Sequence, residues 1–297
     1  MIKVTSKLAS ATLQLAAMSA LIAACSSDNK AAPDAPAQDD APVQTTPANV
    51  KLGTATDPTK ASLGSFLTDS NGMTLYLYSK DTPAATGVAA VSNCTTALSA
   101  TCLTNWPIFH VDSVAVGAGL SAADFSEIMR SDGMKQTTYR GWPLYHFAMD
   151  VAAGDVKGEA RGNIWYVLRQ QTYSMVVMSS IVATAPPLYL ATPGGMTLYY
   201  YTPDTVGVGA TAPVSVCTGT CLTNWPAFQA TTTGTVLPTG VADLTTFART
   251  DNGVTTMQAA WKGHPLYTFH LDVKPGDTLG DKVGGVWFVL NPTAPPP

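Results

Sequence analysis

Residues 71–81 read NGMTLYLYSKD, and residues 194–204 read GGMTLYYYTPD. The second stretch repeats the first after 123 residues: a turn glycine, then an alternation of aliphatic and aromatic side chains. A β-prone run behind such a turn predicts a hairpin. In a strand, residues i and i+2 share a face, so Tyr76 and Tyr78 are expected on one side and Leu75 and Leu77 on the other. Working outward, more blocks recur in the same order. CLTNWP stands at 102–107 and again at 221–226, RGWPLY at 140–145 answers KGHPLY at 262–267, and IWYVL at 164–168 answers VWFVL at 286–290. Ordered recurrence of this kind marks a tandem duplication. We expect copies at 61–172 and 173–292, with 293–297 as a short tail.

A second layer of repetition lies inside each copy. The pattern Gly-x-x-Leu-Tyr-x-aromatic-x-x-Asp occurs four times: Gly72/Tyr76/Tyr78/Asp81, Gly141/Tyr145/Phe147/Asp150, Gly195/Tyr199/Tyr201/Asp204 and Gly263/Tyr267/Phe269/Asp272. Each copy is therefore expected to hold two similar halves related by a pseudo-twofold. No window shows a long 3.6-residue period, and one short helix per copy is expected near 122–128 and 241–247. The predicted fold class is mostly β, as two tandem small sandwich- or barrel-like domains.

The start of the chain carries an address. Lys3 and Lys7 precede an uncharged run over residues 8–22, which ends in LIAAC with Cys25 last. A basic n-region and a short apolar h-region make a signal peptide over residues 1–24, too short for a comfortable membrane span. Small residues before Cys25 resemble a lipobox, so cleavage is expected before Cys25 with diacylglycerol and an acyl chain such as palmitate attached there. Cleavage removes two Lys and no acid, taking the formal charge from −4 to −6. Several acyl chains anchor stably, at about 0.8 kcal/mol per buried methylene. Ser26 after the cysteine favours the outer membrane in a Gram-negative cell. Residues 25–60, rich in Ala, Pro, Asp and Thr and lacking aromatics, are expected to be a disordered tether.

The four motifs, the paired cysteines before Asn-Trp-Pro and the lipobox together resemble the bacterial lipoproteins with a Yx(FWY)xxD motif, a secreted repeat of unknown function. The resemblance spans 61–292 and implies an exported lipoprotein with no established activity. One departure is the spacing of Cys94 and Cys102, eight residues, against four for Cys217 and Cys221. The first loop is expected to carry an insertion.

Composition narrows the function classes. Only 12% of residues are charged and the net charge is negative, which argues against a nucleic-acid partner. Paired cysteines in an exported chain read as disulfides, Cys94–Cys102 and Cys217–Cys221, pinning the loops that deliver Trp106 and Trp225. The motif aromatics are read as core and the motif aspartates as local caps of the strand end, accepting backbone N–H bonds. Acids and glycines in 150–159 and 272–281 offer oxygen ligands of the kind Ca²⁺ uses, without EF-hand spacing. His264 and His270 would be a metal pair private to the second copy, since Trp142 and Ala148 replace them in the first. No P-loop, nucleophile elbow or zinc motif occurs in the sequence. The expected protein is non-enzymatic, without cofactor or metal, bound to a membrane through its lipid and serving an envelope protein or small ligand as a binding or structural module. The alternative is an accessory in envelope redox or metal handling. A hydrolase with unrecognised residues ranks last.

Overall fold

Among the described residues each copy contributes seven short strands in one order. The computed structural model describes residues 47–182, 185–230, 235–294 and 296. The expected signal peptide, Cys25 and most of the expected tether lie outside the described residues. The first copy runs β1 (Val50–Gly53), β2 (Phe66–Asp69), β3 (Tyr76–Tyr78), α1 (Cys102–Asn105), β4 (Phe125–Met129), β5 (Lys135–Tyr139), β6 (Trp142–Pro143) and β7 (Trp165–Val167). The second runs β8 (Val176–Met178), β9 (Tyr189–Ala191), β10 (Tyr199–Tyr201), α2 (Thr220–Asn224), β11 (Leu244–Asp251), β12 (Val254–Trp261), β13 (His264–Pro265) and β14 (Trp287–Val289). Strand pairing repeats as well. Sheets β1–β2, β3–β7 and β4–β5–β6 have their counterparts in β8–β9, β10–β14 and β11–β12–β13, all antiparallel.

Turn chemistry explains the hairpins. Arg140 and Gly141 have φ of 46° and 85°, and Lys262 and Gly263 have 49° and 80°. Two consecutive positive φ values make the tight turn that matches strand twist. They join β5 to β6 and β12 to β13, where Tyr139 faces Trp142 and Trp261 faces His264.

Alternation then sorts the side chains. Leu75, Leu77, Leu144, Leu198, Tyr200 and Leu266 enter one buried cluster that draws on both copies. Tyr76, Tyr78, Tyr145 and Phe147 enter a second cluster in the first copy, and Tyr199, Tyr267 and Phe269 a third in the second, with Tyr201 packed against it. So the aliphatic faces make a common core, and the aromatic faces make one core per copy.

Several expectations need correction. The fold is mostly β, but among the described residues the strands form small sheets of two or three strands and no closed barrel. The copies are not parted as separate domains, because residues 46–297 make one compact unit and the aliphatic cluster crosses the repeat boundary. Bonds also cross it: Ser179 N donates to Ser79 O at 2.8 Å, and Thr239 Oγ1 to Glu159 Oε1 at 2.5 Å. The fold starts before residue 61. Val50 is fully buried, β1 pairs with β2, and a 3₁₀ turn follows at Pro58–Leu63. The composition of 47–60 concealed this strand, which gains its stability from pairing. The expected helices at 122–128 and 241–247 give way to strands from Phe125 and from Leu244. Ser121 Oγ does accept from Ala123 N, yet the turn ends at Asp124 and Phe125 pairs with Tyr139. Sheet pairing overrides a weak local preference for helix.

Candidate functional site

The motif strands of each copy meet at their first tyrosines. Tyr76 N donates to Tyr145 O at 2.8 Å and Tyr145 N to Tyr76 O at 3.0 Å, while Tyr199 and Tyr267 exchange bonds of 2.9 and 3.0 Å. A local twofold passes between them. The side chains obey it too, by crossing over. Tyr76 Oη donates to Asp150 Oδ2 at 2.6 Å, and Tyr145 Oη to Asp81 Oδ2 at 2.8 Å. Likewise Tyr199 bonds Asp272 at 2.6 Å and Tyr267 bonds Asp204 at 2.5 Å. The first tyrosine of each motif thus serves the aspartate of the other motif in its copy.

The second oxygen of each aspartate also accepts, from Asn93 N (2.6 Å), Lys157 N (2.9 Å), Val216 N (2.7 Å) and Leu279 N (2.9 Å) for Asp81, Asp150, Asp204 and Asp272 in turn. The backbone N–H bonds are present, but those at Asp81 and Asp204 come from 12 residues along the chain. A local cap is therefore not their role; they tie a remote loop to the strand end.

A donor chain fixes the direction of these bonds. Arg130 Nη1 donates to Ser92 Oγ, which lies 2.6 Å from Tyr145 Oη. Arg130 can only donate and the single Tyr145 proton goes to Asp81, so Ser92 accepts from Arg130 and donates to Tyr145. Arg249, Ser215, Tyr267 and Asp204 repeat the chain, with Arg249 Nη1 3.0 Å from Ser215 Oγ. Both arginines also donate to a disulfide cysteine carbonyl, Cys94 O or Cys217 O, at 2.8 Å. The arginine networks were not anticipated, although Arg-x-Asp recurs at 130–132 and 249–251.

Burial dominates the acidity of these groups. It pushes the Asp81 carboxyl up to about 8, against the Asn93 N–H, Tyr145 hydroxyl and Arg130 charge, which favour the anion. It pushes Asp272 up to about 6 and raises Asp150 and Asp204. The Tyr76, Tyr145, Tyr199 and Tyr267 hydroxyls are raised chiefly by burial, with the facing carboxylates adding to it.

Around each crossed pair stands a column of four rings. Phe147 stacks on Trp106 at 4.3 Å, Trp106 on Trp165 at 3.8 Å and Trp165 on Tyr78 at 4.0 Å. Phe269, Trp225, Trp287 and Tyr201 stack at 4.2, 3.8 and 4.2 Å. The hydrogen-bonded tyrosines abut the columns edge-on: Tyr76 at 5.4 Å from Trp106 and Tyr145 at 5.2 Å from Trp165. Gly158 closes the cage; a Cβ there would lie 2.8 Å from Trp106 and 2.9 Å from Tyr76. Gly280 does the same against Trp225 and Tyr199, both at 2.8 Å. The disulfides Cys94–Cys102 and Cys217–Cys221 lie beside the two tryptophans, and Trp106 N and Trp225 N bond Cys102 O and Cys221 O at 2.8 Å.

The acids considered for Ca²⁺ are spent on the backbone. Asp155 Oδ2 accepts from Val151 N, Ala152 N and Lys157 Nζ, and Asp277 Oδ2 from Val273 N and Lys274 N. His264 packs on Tyr200 and His270 on Phe269. Among the described residues no group of three or more His, Cys, Asp or Glu is placed to hold a metal ion.

The comparisons with known proteins agree with this repetition. A family described as a "secreted repeat of unknown function" matches residues 58–110, 126–169 and 247–291. The three matches fall on the repeated stretches and show that the chain is similar to that family there. The first half of the second copy falls outside them, yet it carries β9, β10 and α2 as the first copy carries β2, β3 and α1. No curated protein and no solved structure matches the chain. The matching family is described as secreted, and no helix among the described residues is long and apolar enough to cross a membrane.

Proposed function

We propose that the chain is a lipid-anchored protein of the bacterial cell envelope, acylated at Cys25, and that it works as a non-catalytic binding module. In a Gram-negative cell the anchor sits in the outer membrane. Residues 26–46 would space the folded part from the lipid, as their composition favours. The observation that carries the non-catalytic reading is the crossed Tyr–Asp pairing. All four motif aspartates are buried, and each accepts from a tyrosine and a backbone amide of the same copy. Chemistry repeated four times and closed on itself serves architecture, so recognition falls to parts of the surface that the repeat does not duplicate. Fractionation tests the anchor. Wild type should sediment with membranes and Cys25→Ser should be released; equal retention of the variant would overturn the assignment.

A further inference from the structure

The two copies share one feature that neither possesses alone. Where the linker residues 169–173 pass between them, a half-open cavity of about 170 Å³ forms. Its walls are Leu77, Tyr139, Trp142, Leu168, Tyr173 and Val176, so its lining is overwhelmingly apolar. Pro193 and Gly194, from the turn before β10, complete it from the second copy, and Trp142 Nε1 reaches across to Pro193 O at 3.3 Å.

Two arginines line the same space. Arg140 is committed: its Nε and Nη2 hold Asp124, and its Nη1 donates to Gln170 O and Thr172 Oγ1 at 3.0 and 2.7 Å. Arg169 is less so. Its guanidinium lies 5.6 Å from the Tyr173 ring centre and also interacts with the Tyr173 hydroxyl; its Nε is buried with no hydrogen-bond partner, while the side chain as a whole is partly exposed. Among the described residues it forms no ion pair; Glu159, the acid whose charge it feels, is already taken up by Val167 N and Thr239 Oγ1. A buried donor left unmatched is destabilising. A guanidinium edge is shaped for two parallel bonds to a carboxylate.

We infer that this cavity binds a small aromatic carboxylate, its ring between Trp142 and Tyr173 and its carboxylate on Arg169. Size supports one ring, since an apolar cavity of about 150 Å³ holds a benzene molecule. The site occurs once per chain for a reason visible in the repeat: Lys262 replaces Arg140, His264 replaces Trp142 and Asn291 replaces Arg169. Stoichiometry is therefore one. This inference deepens the binding reading above and is independent of the anchor at Cys25.

Titration calorimetry on the mature chain tests it with three probes: benzoate, the neutral benzyl alcohol, and acetate. Benzoate should bind at one site and at least tenfold more tightly than either of the others. Arg169→Gln should reduce benzoate to the level of benzyl alcohol and leave benzyl alcohol unchanged. Gly194→Leu adds a side chain where a Cβ meets open space at non-strained φ, so it should fold and block both ring-bearing probes. Absence of saturable benzoate binding to wild type at millimolar concentration, equal affinity for benzyl alcohol, or benzoate binding unaffected by both variants would each overturn the inference, the last two pointing to water as the partner of Arg169 Nε. Benzoate failing while Cys25→Ser still leaves the membrane would sink the cavity and spare the anchor.

Discussion

The aromatic cores of the two copies use the same residues in the same bonds, yet they differ in depth. Asp81 is 1% exposed and its counterpart Asp204 is 7%. Tyr78 is buried at the end of its column, whereas Tyr201 is only partly so. Arg161 lies over the Phe147 ring at 5.0 Å, and Val283, partly exposed, stands in its place in the second copy. Both aspartates accept from a tyrosine and a backbone amide and feel the charge of an arginine. What separates them is water, and the deeper carboxyl is the one pushed up to about 8. Pairing decides which atoms meet, while burial decides how much charge they tolerate.

The largest effect that can break this comparison is pH. The Asp81 carboxyl has a folded value above its unfolded one, so its protonated form favours the folded state. That contribution is complete below about pH 4 and is lost as pH rises through about 8, at roughly 1 kcal/mol per pH unit. Asp272 acts in the same sense over the narrower window ending near 6. Denaturant unfolding between pH 6 and 8 should show falling stability in wild type and a flatter line in Asp81→Asn; rising stability would contradict the burial argument.

Next come the columns. Trp165→Ala and Trp287→Ala should each cost about 3–5 kcal/mol, through lost burial and the cavity left between stacked rings. Because the aliphatic core is common to both copies, each should shift a single unfolding transition. Two transitions, with only one displaced, would restore independent domains.

Gly158→Ala and Gly280→Ala sharpen the equivalence. A methyl at 2.8 Å from an indole forces the cage open, for about 1–3 kcal/mol, with similar losses in both copies. Unequal losses in thermal melts would mean that one cage is looser than the other.

Substitutions of similar size at the tyrosines are the most discriminating. Tyr145→Phe and Tyr267→Phe each remove one hydroxyl from the donor chain, at about 1–3 kcal/mol, and the first should sit at the upper end because Asp81 has less access to water. Equal values would show that exposure does not separate the two sites.

Much of this was legible before any tertiary contact was known. The doubled alternation in 75–78 placed Tyr76 and Tyr78 opposite Leu75 and Leu77 because a strand has period two. The turn at Arg140–Gly141 followed from glycine's freedom at positive φ. Other elements were hidden for physical reasons. Strand β1 sits in a stretch whose composition resembles a tether and is held by pairing with β2. Phe125 followed a short helical start and was captured by Tyr139.

By itself the sequence determined the duplication, the motif, the turns and the face each motif side chain would take, since all of these are set within a few residues. The tertiary structure alone decided that Tyr76 meets Asp150 and Tyr145 meets Asp81, partners 74 and 64 residues apart. It alone decided that the copies share an aliphatic core and enclose a cavity beside Arg169. Water exclusion at a point in space depends on every chain segment that reaches it, and no local pattern encodes that sum.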